Sequence, residues 1–270
     1  MGIGIISVMK KHILITNDDS YESDGLKALI EALRSLAKLT IVAPSSEKSA
    51  CGHSLTLTRP LRFVQVDDDF YKLDDGTPSD CIYLALNSMF DEANRPDLIV
   101  SGINHGANMG EDITYSGTAS AAMEGVLQGV PSISISQVLG GAEHSGELDF
   151  EPAKRAINHL VQKVLNGGFP LMERNFLNIN IPSSSMNPNG KFKITHAGHR
   201  LYGNDAHLHR NPRGEEYYWL GLHPLQFKKR EGVDGMSDYD AVLAGFVSIS
   251  PIMLDMTAYQ QMDRLHTWMS

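Results

Sequence analysis

The chain has 270 residues, 42% of them hydrophobic and 20% charged, with 24 glycines and 12 prolines. That is an ordinary globular composition, and it excludes disorder, a collagen repeat and a coiled coil. The formal net charge is −9, and residues 96–153 contain no Lys or Arg, so an extended nucleic acid is not an expected partner.

Residues 1–9 are uncharged but span only about half of a bilayer-crossing length, and they lack the basic start and cleavage site of a secretory signal. A cytoplasmic protein with no membrane contact is the expectation. The two cysteines, Cys51 and Cys81, read as small packing residues rather than as a disulfide framework.

Residues 12–16 (HILIT) predict a buried strand that ends in polar Asn17-Asp18-Asp19. Apolar residues at helical spacing (Leu26, Leu29, Ile30, Leu33, Leu36) predict a helix over 25–37. Residues 39–43 (LTIVA) predict a second strand, which completes a β-α-β unit with parallel neighbours. A long serine-rich loop follows over 44–58, then strands at 61–66 and 70–73 and a helix from Thr77 to about Phe90. Residues 97–101 predict a strand, 116–129 a helix, 130–136 a strand, 151–166 a helix and 178–181 a strand. Up to about residue 182 the pattern fits a doubly wound, mostly parallel sheet.

Beyond Pro182, turn residues such as Asn187-Pro188-Asn189-Gly190 and Asn211-Pro212-Arg213-Gly214 separate short strand-like pieces at 191–195 and 217–220. This texture reads as an extended β arm, followed by a last core strand at 246–252 and a terminal helix over 256–268. The expected division is a core at 9–182, an arm with oligomerisation helix at 183–270, and a non-core extension at 1–8.

Ligands of such sheets collect at the carboxyl ends of the strands. The chain has no phosphate loop of the G-x-x-x-x-G-K type, no dinucleotide fingerprint and no H-E-x-x-H zinc motif. Adjacent Asp18 and Asp19 after a buried strand repel each other, and a hard divalent cation such as Mg²⁺ or Mn²⁺ would relieve that. The plainer reading is one turn-capping aspartate and one solvated aspartate. Ser49 is a single hydroxyl in a loop, and Asn104 taken alone reads first as a turn asparagine. Ser116-Gly117-Thr118 at a helix start offers an anion site that needs no basic residue, against the plain alternative of an ordinary N-cap. Four histidines between His196 and His209 match no standard zinc spacing.

Together these clusters resemble the SurE family, the stationary-phase survival proteins with 5′-nucleotidase activity, over residues 10 to about 267. The resemblance is carried by Ile15-Thr16-Asn17-Asp18-Asp19, by Glu47-Lys48-Ser49 with Ser54-Leu55-Thr56, and by Gly76-Thr77-Pro78-Ser79-Asp80-Cys81. Its fullest part runs from Val100-Ser101-Gly102-Ile103-Asn104 through Gly110–Thr118 to Ala122-Met123-Glu124-Gly125, and Leu254-Asp255-Met256-Thr257-Ala258 closes it. The resemblance implies a Rossmann-like core and hydrolysis of nucleoside 5′-monophosphates, with 3′-monophosphates as a further possibility. It implies one divalent metal per subunit on Asp18, Asp19, Ser49 and Asn104, with Asp18 and Asp19 also catalytic. Phosphate contacts are implied for Asn104, Asn108, Ser116, Gly117 and Thr118. A homodimer or homotetramer with exchanged C-terminal elements is implied as well.

Two positions depart from the family pattern: Ser20 stands where glycine is usual, and His105 follows Asn104 where relatives carry other residues. The rival reading from another class is a metal- and nucleotide-binding regulatory module without turnover.

Overall fold

The computed structural model describes residues 11–138, 149–186, 188–203, 206–220, 226–229 and 232–270. The expectation for residues 1–8 lies outside them. In chain order the first half runs β1 (His12–Thr16), α1 (Asp24–Leu33), β2 (Lys38–Pro44), β3 (Arg62–Asp67), β4 (Phe70–Asp74), α2 (Pro78–Ser88) and β5 (Leu98–His105). There follow α3 (Gly117–Leu127), β6 (Ser132–Gln137), α4 (Glu151–Gly167) and β7 (Asn175–Ile181). The remainder comprises β8 (Phe192–Ile194), β9 (His199–Leu201), β10 (Ala206–Arg210), β11 (Glu216–Leu220), β12 (Gln226–Lys228), α5 (Asp238–Leu243), β13 (Val247–Met253) and α6 (Met262–Met269).

Nine strands form one sheet in the order β3-β4-β2-β1-β5-β6-β7-β13-β8. From β4 to β7 all neighbours are parallel, while β3 and β13 pair antiparallel with β4 and β7. Successive residues of a strand point to opposite faces, so Ile13 and Ile15 join one core and Leu14 the other. On the first face Leu26, Leu29 and Leu33 of α1 and Ala153, Ile157 and Val161 of α4 pack against Val100, Ile133, Ile135 and Ile179. On the second, Cys81, Ile82 and Ala85 of α2 and Ala121 of α3 cover Leu14, Val42 and Ile99. This is the doubly wound, Rossmann-like arrangement, and it aims every β-to-α loop at one edge.

Local chemistry fixes the helix starts at that edge. Ser23 caps α1 by accepting from Leu26 N–H, and Thr77 with Asp80 makes a reciprocal capping box for α2. Gly25 is required because a Cβ there would collide with the carbonyl oxygen of Ile103, so α1 begins hard against the end of β5.

The elements differ from expectation in several places. The terminal helix α6 begins at Met262, six residues after Met256, and β7 begins at Asn175, three residues before Asn178. Helix α1 stops at Leu33, four residues short of Ala37, because β2 starts at Lys38 with its N–H on Lys11 O. Strand β5 runs on to His105 through a register shift against β6 between Ser101 and Asn104, which Gly102 at φ +139° permits. The piece around residues 191–195 is no part of the arm, since β8 pairs parallel with β13 at the edge of the main sheet. Helix α5 has no apolar run long enough to announce it and rests on a Ser237–Asp240 capping box.

Strands β10 and β11 and helix α6 are exposed at every residue. Among the described residues no helix is long and apolar enough to cross a membrane.

Candidate active site

Asp18 stands two residues past the end of β1 and is 3% exposed. Both of its carboxylate oxygens are taken by one residue at the start of α3: Thr118 donates its hydroxyl to Oδ1 and its N–H to Oδ2, the latter at 3.1 Å. Burial first, and then the neighbouring charge of Asp19, push the Asp18 carboxyl up to about 6. Asp19 is also raised by burial, partly offset by the His105 N–H that donates to its Oδ2 at 3.1 Å. The approach of α3 to Asp18 demands Gly117, because a Cβ there would sit 2.8 Å from Asp18 Cβ and 3.1 Å from Cys51 Sγ.

The loop after β2 closes over the same point. Lys48 N–H donates to Asp18 O at 2.7 Å and Gly52 N–H to Tyr115 O at 2.9 Å. Its far end is held by Asp80, whose carboxylate accepts from Thr56 N–H at 2.8 Å and from the Thr56 hydroxyl at 2.6 Å. His53 Nε2 lies 2.9 Å from Glu124 Oε2 on α3. Ser49 is exposed, and its hydroxyl donates to Glu47 Oε1 at 2.8 Å. Cys51 and Cys81 are both free thiols, the latter buried.

The third loop leaves β5. Asn104 donates its amide nitrogen to Gly106 O at 3.0 Å, so Oδ1 is the atom left for an ion. Asn108 is 7% exposed and held on three sides. Its N–H donates to Asn180 Oδ1 at 2.9 Å, and its carbonyl accepts from Asn178 Nδ2 at 2.8 Å and Asn180 Nδ2 at 3.0 Å. Its own amide nitrogen donates to Ser136 Oγ at 2.8 Å. Further along, Asp238 accepts from Gly110 N–H and Gly198 N–H, each at 2.8 Å.

The structure therefore gathers Asp18, Asp19, Thr118, the backbone of the Ser49 loop and the Asn104–His105 corner. Ser116 spends its side chain on capping Ala119 N–H at 3.0 Å. Asn178, Asn180 and Ser136 escape a search of the sequence for site residues, although Asn-x-Asn in β7 and Ser-x-Ser in β6 are visible there as polar positions on one strand face. Ser20 adopts φ +96°, the glycine conformation in a residue that carries a side chain.

Among the described residues no three His, Cys, Asp or Glu side chains gather as a metal site; the expected set is two carboxylates with a serine and an asparagine, and of these the Ser49 hydroxyl faces Glu47. That set fits a divalent cation. Its donors are hard oxygens, Asp18 is buried and Asp19 half-buried beside it, and the nearby Lys48 is committed to Asp75 at 3.2 Å.

Fold and site together define a doubly wound α/β protein whose strand-end site pairs two carboxylates with a helix N-terminus. The family profile described as Survival protein SurE matches residues 13–204, and the chain belongs to that family. It is 60% identical over 265 residues to the 5′-nucleotidase SurE of Sulfurimonas denitrificans, covering 96% of this chain and 99% of that relative. Against the 5′-nucleotidase SurE of Helicobacter hepaticus the figures are 57% over 260 residues, 96% and 98%. The crystal structure of the SurE protein from Aquifex aeolicus superposes with a TM-score of 0.78 at 41% identity, covering 96% of this chain and all of that one.

Proposed function

We propose that this chain is an enzyme, a divalent-metal-dependent phosphomonoesterase that hydrolyses nucleoside 5′-monophosphates, and 3′-monophosphates as well, to nucleoside and phosphate. The observation that carries the reading is the Asp18–Asp19 pair, half sewn to the start of α3 and burdened by its own charge. The names of the close relatives support the reaction class. Asp18, Asp19, Ser49 and Asn104 Oδ1 hold one Mg²⁺ or Mn²⁺ per subunit, with the Ser49 hydroxyl turning from Glu47. The cation supplies positive charge for the phosphate oxygens and for the charge that builds in the transition state.

The residues divide the remaining work. Asp18 has both oxygens on Thr118, so Asp19, with one oxygen on the His105 N–H, is the group that orients and deprotonates the attacking water. The Ser116-Gly117-Thr118 turn receives phosphate oxygens at the positive end of α3. Thr118 acts there by fixing Asp18, and Asn108 acts by fixing the loop that carries Asn104. The exposed apolar residues of α6 (Leu265, Trp268, Met269) and of the hairpin (Leu208, Trp219, Leu220) fit a homodimer or homotetramer that exchanges these elements. The free thiols suit a reducing cytoplasm.

The test is inorganic phosphate release from nucleoside 5′- and 3′-monophosphates with Mn²⁺, with Mg²⁺ and with EDTA. Release is expected only with metal, and Asp19→Asn lowers it by roughly 10²–10⁴-fold. Metal-independent release, or none from folded protein, sinks the proposal.

A further inference from the structure

Tyr115 immediately precedes the Ser116 cap and is 57% exposed; Tyr202, just past β9, is 47% exposed. Their ring centroids lie 6.2 Å apart with planes at 80°, so the two rings form a corner, one offering a face where the other offers an edge. The backbone of Tyr115 ties this corner to the carboxylate site. Tyr115 O accepts from Gly52 N–H in the loop that covers Asp18, and the next residues along the chain are Ser116, Gly117 and Thr118.

The corner is held from behind by one residue. Asp112 Oδ1 accepts from the Tyr202 hydroxyl at 2.8 Å, and Asp112 Oδ2 accepts from Arg200 Nε at 3.0 Å. The Arg200 side chain is only 8% exposed, and its guanidinium carbon lies 5.5 Å from the Tyr202 ring centroid. The Asp112 backbone carbonyl accepts from Tyr115 N–H at 3.1 Å. Burial and the Asp112 hydrogen bond push the Tyr202 phenol well above its ordinary range, so the hydroxyl stays a donor.

Exposed rings fixed in this way present apolar π-surface to water without paying further ordering cost when something flat arrives. We propose that Tyr115 and Tyr202 form the platform on which the base of a nucleoside monophosphate stacks, with Asp112 as its positioning residue. The proposal rests on the phosphomonoesterase reading above. A stacking platform accepts any base through its π-face, and it suits a site where residues 96–153 supply no cation. It predicts selection for an aromatic base over none, rather than for one base over another.

The experiment compares adenosine 5′-monophosphate with ribose 5-phosphate, which has the same phosphoester and no base. Tyr115→Leu and Tyr202→Leu should each lower the ratio of kcat/KM for the nucleotide to that for the sugar phosphate by about tenfold or more, through KM. Tyr202→Phe, which keeps the ring and loses the Asp112 tether, should show a smaller drop in the same direction. Titration calorimetry of both ligands with Mg²⁺ in the Asp19→Asn background reads the same preference without turnover. A preference for the nucleotide in calorimetry, with no phosphate released by the wild type, overturns the enzymatic reading and keeps the platform. Equal losses on both ligands, or a changed oligomeric state with the ratio intact, overturn the platform and leave the enzyme standing.

Discussion

Strand β6 reads Ser-Ile-Ser-Ile-Ser-Gln, and its two faces end in different company. Ile133 and Ile135 enter the aliphatic core under α1 and α4. Ser132, Ser134 and Ser136, pointing the other way, are fully buried too, but among polar neighbours. Ser134 donates to Asn178 Oδ1 at 2.7 Å, and Ser136 accepts from Asn108. Across β13, Ser248 and Ser250 each lie 2.8 Å from Thr195 Oγ1. Burying such groups unpaired would cost more than leaving them wet. Satisfied by one another, they give direction that aliphatic contacts do not, and here the direction is used to fix the loop around Asn108. Along β6 one face supplies cohesion, and the other supplies placement.

Truncating one residue on each face separates those roles. Ile133→Ala removes aliphatic bulk from the first face and should lower unfolding free energy by about 3 kcal/mol, measured by denaturant titration, while phosphate release per folded molecule holds. Asn180→Ala takes the acceptor from Asn108 N–H and one of two donors from its carbonyl. The expected loss is about 2 kcal/mol, with a drop in phosphate release per folded molecule that Ile133→Ala does not show. If both variants lost activity alike, the division between the faces would fail.

The faces were unequally legible in the sequence. Apolar spacing located the strands and helices of the first face, because a 3.6-residue stripe and short aliphatic runs have few other uses. The site's hub, Asn17-Asp18-Asp19, was readable as a polar burst after a buried strand. Its partner Thr118 was readable only as a helix cap and turned out to be the donor that occupies Asp18. Asn178 and Asn180 were not legible, since a polar alternation in a strand ordinarily marks a solvent face and nothing local says that a loop about 70 residues earlier will cover it. The same limit hid α5, and it hid the place of β8 in the main sheet, because short segments depend on pairing and capping across the chain rather than on periodicity.

Asp18 sits at the meeting of the two regimes, and its charge should be visible as stability. Its folded-state pKa, about 6, lies above the ordinary 3.8. The stabilising contribution of the protonated form is therefore complete below about pH 4 and is lost as pH rises through about 6. In metal-free protein at pH 8, Asp18→Asn should raise unfolding free energy by about 2 kcal/mol. At pH 4 the gain should vanish. Adding Mg²⁺ should stabilise the wild type more than the variant. A gain that is the same at both pH values would mean that burial of charge is not what burdens this carboxylate.

The smallest effect concerns the loop between Asp19 and α1. Ser20 at φ +96° lies beyond the left-handed well that Ala50, at φ +55°, occupies. It is kept there by its carbonyl, which accepts from Asn17 Nδ2 at 2.8 Å and from Ser23 N–H at 3.2 Å. Asn17 is fully buried and also donates to Ser23 Oγ at 2.8 Å, so the loop is clamped at both ends and the strain falls on Ser20. Glycine at that position removes the Cβ conflict but gives up chain entropy in the unfolded state, and the first effect is the larger. Ser20→Gly is expected to stabilise the protein by about 1 kcal/mol, seen as a higher denaturant midpoint at unchanged slope. A lower midpoint would show that the serine side chain contributes more in this loop than its backbone conformation costs.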